Sequence, residues 1–257
     1  MKYYVIPNLK ELDKYLKLSK EYNLGFEYNE FFDPVLLDDE KELNKKIEEY
    51  KKLNRIGDTL HGVFYDICLD SSDPKIRQIS YERVKSSLDI AQKLNCKGVV
   101  FHTNYITWMK TEAYQNRWIK KNKEVFLKLI EEYKDLEIYI ENMFDLDPML
   151  LARLVKEINH PRIRVCLDVA HASISNVDIE DWFNMLGKYI SHIHINDNDR
   201  IVDSHQELGK GIIDYKKVYK LINKLNDNTS ILIEISDYDK TFNSIKYLKD
   251  GGFNAFK

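Results

Sequence analysis

The amino-acid sequence predicts a closed barrel of eight parallel strands, each followed by a helix. Three observations carry that prediction. Strand and helix patterns alternate eight times without a break, which implies parallel strands joined by right-handed crossovers. Several of the strands are nearly continuous apolar runs, as strands buried on both faces must be. The chain has 257 residues, close to the roughly 250 typical of a (β/α)8 barrel, so a single domain over 1–257 uses all of it. No Gly-x-Gly-x-x-Gly follows the first strand, so the fingerprint of an open dinucleotide-binding sheet is absent.

The elements follow in order. Tyr3 to Pro7 is a short apolar run, and a helical pattern continues from Leu9 to about Tyr22. Leu24-Gly25-Phe26-Glu27-Tyr28 is the second strand. The Lys-rich, acidic segment from Asp38 to Leu53 places Leu43, Ile47, Tyr50 and Leu53 on one helical face. Asp58 to Phe64 is the third strand and Lys75 to Leu94 a long helix; Lys97 to His102 is the fourth strand and Thr111 to Tyr133 a second long helix. Leu136 to Glu141 is the fifth strand. The helix from Pro148 to Ile158 opens on proline, where a missing N–H costs nothing. Ile163 to Asp168 is the sixth strand, followed by a short helix from Ile179 to Leu186. Ile190 opens the seventh strand and Tyr215 to Leu225 the helix after it. Ser230 to Glu234 is the eighth strand, and Thr241 to Leu248 closes the pattern.

Bulk properties narrow the classes of function. Hydrophobic residues make up 44% and charged residues 32%, an ordinary water-soluble balance. No apolar stretch is long enough for a transmembrane helix, and the N-terminus lacks the apolar core of a secretory signal, so a cytoplasmic protein without membrane contact is expected. Cys68, Cys96 and Cys166 show no Cys-x-x-Cys spacing, which fits a reducing compartment and argues against a disulfide framework or a thiolate zinc site. The formal net charge of −3 offers no general excess of cations to phosphate backbones. A homo-oligomer remains open.

Chemistry concentrates at the strand ends. The densest stretch is Ile190 to Gly211, ISHIHINDNDRIVDSHQELGKG, with three histidines and three aspartates between His192 and His205. The second strand carries Glu27, the third His61, the fourth His102 and the fifth Glu141. The sixth ends at Asp168 with His171 shortly after; the seventh carries His194, its loop Asp203 and His205; the eighth ends at Glu234. Of the seven histidines only His160, before Pro161, sits on a connecting turn. In a (β/α)8 barrel all carboxyl ends face one mouth, where the chemistry is done. Carboxylates and imidazoles gathered there suit a hard or borderline divalent ion, Mn, Co, Mg or Zn. Phe31, Phe32, Tyr65, Tyr105 and Trp108 follow strand ends and serve either to stack on a ring or to cap the barrel. Arg200 and Lys210 are cations in the seventh loop, placed to meet a hydroxyl, carboxylate or phosphate or simply to be solvated.

His61, His102, Glu141-Asn142, Leu-Asp-x-x-His at 167–171, His-Ile-Asn-Asp at 194–197, Asp-x-His-x-x-x-Gly-x-Gly at 203–211 and Glu234 together resemble the xylose isomerase-like barrel superfamily. That group includes sugar phosphate isomerases and epimerases and endonuclease IV-type repair enzymes. The resemblance spans Glu27 to Glu234. It implies one of two activities. In the epimerase branch Glu141, Asp168, His194 and Glu234 hold one divalent ion, and Glu141 and Glu234 exchange a proton at the carbon beside the substrate carbonyl. His171 then bonds a substrate oxygen, and Glu27, Arg200 and Lys210 are further substrate-binding candidates. The partner is a small sugar, sugar phosphate or related polyol ketone. In the endonuclease branch three ions are held: one by His61, His102 and Glu141, one by Glu141, Asp168, His194 and Glu234, and one by His171, Asp203 and His205. The substrate is then abasic DNA, attacked at a phosphodiester. The segments after His61 and His102 do not resemble the repair family's loops, and the charge balance favours the first branch.

Overall fold

Apolar runs too short to bury one face alone must pair, and here they pair side by side around a ring. A computed structural model of the chain describes residues 1–175, 177–253 and 255–256. Eight parallel strands hydrogen-bond in chain order into a closed barrel: β1 Lys2–Val5, β2 Gly25–Tyr28, β3 Thr59–His61, β4 Gly98–His102, β5 Glu137–Glu141, β6 Ile163–Asp168, β7 Ile190–Ile195 and β8 Ser230–Ile233. The helices are α1 Leu12–Tyr22, α2 Pro34–Asp38, α3 Glu40–Lys51, α4 Pro74–Lys93, α5 Glu112–Glu132, α6 Met149–Ile158, α7 Val169–Ile174, α8 Ile179–Leu186, α9 Tyr215–Ile222 and α10 Tyr238–Asp250. None of them is long and apolar enough to cross a membrane.

The helix boundaries have local causes. Aspartate or threonine caps most of the helix starts. Asp33 and Asp73 accept from the second amide of α2 and α4, each with proline at the first turn, and Thr111, Asp178, Asp214 and Asp237 accept from first-turn amides of α5, α8, α9 and α10. Several helices end on asparagine rather than glycine. Asn23, Asn54, Asn95 and Asn159 stand just past α1, α3, α4 and α6 in the left-handed region, with φ between 47° and 54°.

The chain divides into two compact units. One comprises Met1–Glu27, Asn142–Pro148 and Val165–Lys257. Its strands run β2-β1-β8-β7-β6, with Tyr4 opposite Leu232 and His194 opposite both Leu232 and Asp168. Tyr4, Ile6 and Leu232 pack together, and Trp182 and Leu186 of α8 are fully buried. Gly25 is required beside Tyr4, because a Cβ there would come within 2.3 Å of the ring. Between β6 and β7 the register slips at Val165/Cys166, which leaves Ser191 as an extra residue and brings Cys166 opposite His192. The other unit comprises Tyr28–Glu141 and Met149–Arg164. There β3, β4 and β5 pair with His61 opposite Val100 and His102 opposite Glu141. Trp118, Phe126, Leu129 and Ile130 of α5 are buried, as are Leu151, Leu154 and Val155 of α6.

The structure departs from the sequence-based elements in several places. β3 stops at His61 rather than Phe64: Gly62 still donates to the Val100 carbonyl at 2.8 Å, after which the chain leaves the sheet. Two short helices, α2 and α7, stand where the sequence pattern suggests only loop. The terminal helix begins at Tyr238, three residues before the predicted start, because Asp237 caps it.

Candidate functional site

The strand-end residues fall into clusters, and one pattern recurs in both units. In the unit containing β3 to β5, His61 donates from Nδ1 to the carbonyl of Gly62 at 3.0 Å, which turns Nε2 toward Glu141. Nε2 of His61 lies 3.5 Å from Oε2 of Glu141, and Nε2 of His102 lies 3.4 Å from the same oxygen. The imidazoles stand perpendicular with centroids 4.9 Å apart, and Phe64 packs against both. Glu141 is fully buried.

The other unit repeats this arrangement. His171 donates from Nδ1 to the carbonyl of Asn142 at 2.8 Å, and His205 from Nδ1 to the carbonyl of Glu234 at 2.9 Å. Their Nε2 atoms reach the same Asp203 oxygen, Oδ2, at 3.1 and 3.0 Å. Burial alone would raise the Asp203 carboxyl, but hydrogen bonds from the two imidazoles hold it well below the usual carboxylate range. Burial would lower His205; the Asp203 hydrogen bond and the charges of Glu234 and Asp203 instead push it up to about 10. In the metal-free protein the Asp203 carboxylate therefore favours the protonated form of His205.

Asp168 ends β6 and caps α7, its Oδ1 accepting from the His171 amide at 2.5 Å. Asn142 brackets it from both sides: Nδ2 donates to the Asp168 carbonyl at 3.0 Å, and the Asp168 amide donates to Oδ1 at 2.9 Å. That pair of bonds is the physical content of the Glu-Asn motif in the sequence. His194 stands between two carboxylates, with Nε2 3.1 Å from Oε1 of Glu27 and Nδ1 3.4 Å from Oε2 of Glu234. All three residues are nearly or fully buried. Asp197 braces the following loop, accepting from the amides of Gly209 at 2.9 Å, Asn198 at 3.0 Å and Ile213 at 3.2 Å.

These donor sets fit a divalent ion. They consist of carboxylate oxygen and imidazole nitrogen, and backbone carbonyls fix the ring orientation of three of the histidines. Tetrahedral bonds of about 2.1 Å place neighbouring donors about 3.4 Å apart, which matches the spacing around Glu141 Oε2.

Comparisons with known proteins bear on the family and the fold. A family model described as xylose isomerase-like TIM barrel matches residues 18–251. The chain belongs to that family. It is 32% identical over 194 residues to the uncharacterized protein MJ1614 of Methanocaldococcus jannaschii, covering 73% of this chain and 76% of the relative. The probable endonuclease 4 of Mycoplasma mobile is 25% identical over 202 residues, covering 68% and 66%. Among solved structures, the TTHB071 protein of Thermus thermophilus, from a crystal soaked with ZnCl2, superposes with a TM-score of 0.78 at 22% identity over 98% of both chains. A D-tagatose 3-epimerase-like protein superposes with a TM-score of 0.76 at 22% identity over 97% of this chain and 96% of its own.

Within this xylose isomerase-like barrel the remaining candidates are placed differently. Arg200 is exposed and lines a cavity of about 380 Å³ with Ser173, Asp178 and Lys217, lined by none of the metal-ligand candidates. Lys210 is exposed on the turn that Asp197 braces. Glu27 is fully buried and faces two imidazoles. Two residues outside the predicted set belong to this cluster. His192 donates to Glu27, and Cys166 has its sulfur within 4.8 Å of a nitrogen of both His192 and His194. Cysteine spacing alone excludes Cys166 for want of a second cysteine; its position two residues before Asp168, on the same strand face, is the signal that includes it.

Proposed function

We propose that the chain is a divalent-metal-dependent isomerase or epimerase of a sugar, sugar phosphate or related polyol ketone. The observation that carries this reading is the setting of the two strand-end glutamates. Glu141 faces His61 and His102, Glu234 faces His194, and neither is more than 5% exposed. Glu141, Asp168, His194 and Glu234 are the residues proposed to hold the ion, since the carboxyl ends of a closed barrel share one mouth. A bound divalent cation supplies Lewis-acid polarisation of the substrate carbonyl. Glu141 and Glu234 then act as proton-transfer groups at the carbon beside that carbonyl, one removing the proton and the other returning it. His171, whose Nδ1 is held by the Asn142 carbonyl, would donate from Nε2 to a substrate oxygen in exchange for Asp203. The similarity to a D-tagatose 3-epimerase-like structure supports this reading.

A second reading is favoured by one specific observation. The groups around Glu141 Oε2 and Asp203 Oδ2 each pair two imidazoles with one carboxylate oxygen, as a multi-ion centre for phosphodiester hydrolysis at abasic DNA requires. The net charge of −3 weighs against it, because neutralised phosphates normally supply DNA affinity.

Metal analysis of the purified protein, solvent-deuterium incorporation into ketose substrates, and nicking of abasic duplex DNA test both readings together. Deuterium entering beside the carbonyl, with no nicking, is the expected result. Metal-dependent nicking that disappears in His171→Ala, without exchange into any ketose, would establish the second reading instead.

A further inference from the structure

Glu27 and His192 take no part in the chemistry above, yet both are fully buried. A carboxylate away from water demands compensating partners. Glu27 obtains them from β7. His192 donates from Nε2 to Oε2 of Glu27 at 3.0 Å, and its Nδ1 lies 2.7 Å from Oγ of Ser230. The edge of the Tyr4 ring packs against His192, with centroids 5.9 Å apart and planes at 86°. His192 is thus held from three sides and in turn fixes the plane of the Glu27 carboxylate. The second oxygen, Oε1, is aimed at Nε2 of His194 across 3.1 Å. The slipped register at Ser191 sets His192 and His194 opposite Cys166 and Asp168.

An unprotonated Nε2 at that distance from a buried carboxylate oxygen would set lone pair against lone pair. A proton on Nε2 removes the repulsion and leaves Nδ1, which faces Glu234, to bind a cation. We propose that Glu27, clamped by His192, is a positioning residue that keeps the proton of His194 on Nε2 and so makes Nδ1 the metal-binding atom. The proposal rests on the reading that His194 holds a divalent ion. It assigns Glu27 a role behind the ligand rather than against the substrate. Carboxylates behind ligating imidazoles raise ligand basicity, and their loss typically costs 10–100-fold in metal affinity.

The test begins with ring ¹⁵N spectra of the metal-free, histidine-labelled protein, with His194 assigned by the peaks missing in His194→Gln. Nε2 is expected to carry a proton. A neutral ring protonated at Nδ1 alone overturns the proposal. Zn²⁺ affinity, measured by chelator competition, is then expected to fall about 10–100-fold in Glu27→Gln and in the same direction in His192→Phe. Wild-type affinity in a folded Glu27→Gln also overturns it. Should Glu27→Gln fail to fold, the wild-type spectrum still decides. A wild-type protein that binds no divalent ion defeats the proposed function instead, and the two failures are thereby distinguishable.

Discussion

Asn142→Ala tests whether the Glu-Asn pair is a structural clamp. The Asn142 side chain makes two hydrogen bonds with the backbone of Asp168, at 3.0 and 2.9 Å, and the residue is fully buried. Alanine removes both bonds and leaves a buried N–H and a buried C=O without that partner. Each stranded group costs roughly 1–3 kcal/mol, so the loss is about 2–6 kcal/mol. For a chain of this length 1 kcal/mol moves Tm by roughly 2–4 °C, which gives a drop centred on about 12 °C. Thermal unfolding of the metal-free variant beside the wild type, at one pH and with chelator present, measures it. Asp168 also loses its fixed orientation, so Zn²⁺ affinity should fall in the same variant. A Tm within about 2 °C of the wild type, less than the smallest loss expected for one stranded group, or an unchanged affinity, would refute the assignment of Asn142 as the clamp.

Further outcomes follow from the same geometry. Asp197→Ala deprives three amides of a charged acceptor; with bonds to charged groups worth roughly 1.5–3 kcal/mol each, urea denaturation should show a loss above about 3 kcal/mol, and limited proteolysis should cut the loop near Arg200. A loss under about 1 kcal/mol, less than one such bond, would mean the loop is held otherwise. Gly211→Ala puts a Cβ 2.3 Å from both the Asn198 carbonyl and Asp197 Oδ1, so it should weaken the same brace, with a lower Tm as the readout. The raised pKa of His205, about 10, stabilises the metal-free fold fully below the ordinary imidazole value of 6.5, and that stabilisation is lost as pH rises toward 10. Asp203→Asn should flatten the decline of Tm between those two pH values; equal slopes would show that the pair does not titrate as described. Glu141→Gln and Glu234→Gln should each abolish solvent exchange into substrate while part of the metal binding survives, and two fully active variants would reduce these glutamates to ligands at most.

Much of the fold was legible because its determinants are local. Strands β3 to β6 and β8 are apolar runs stopped by His, Asp or Glu, and most helices carry a clear face and an N-cap. What escaped notice depends on three-dimensional context. The helix α2 has only five residues and shows itself chiefly in Asp33-Pro34, a pair that reads equally as a turn. The helix α7 exists because Asp168 accepts from the His171 amide, so one candidate ligand also nucleates the turn that carries another. The three-residue strand β3 ends early at Gly62, where a Cβ would come within 2.4 Å of the Phe101 ring, a contact made by a strand about forty residues later.

The candidate site shows the same division between local and distant determinants. His61, His102, Glu141, Asp168, His194 and Glu234 are visible as strand ends, and Asp-x-His is visible as a motif whose Asp203 and His205 are in contact in the structure. Glu27 was visible as a strand-end carboxylate offered to the substrate, and His192 only as a residue of the right type. Their pairing spans 165 positions and depends on a slip at Ser191 that alternation along β7 does not reveal. Had the β6–β7 register run without that slip, His192 and His194 would face different residues of β6, and a strand read by alternation alone would be one residue out of phase with Asp168. The bulge converts His-x-His from two independent histidines into a coupled pair, one holding Glu27 and the other facing it. A sequence carrying His-x-His at this strand but lacking an acid at the end of the second strand would have the ligand without the group that orients it, and its metal affinity should resemble that of Glu27→Gln.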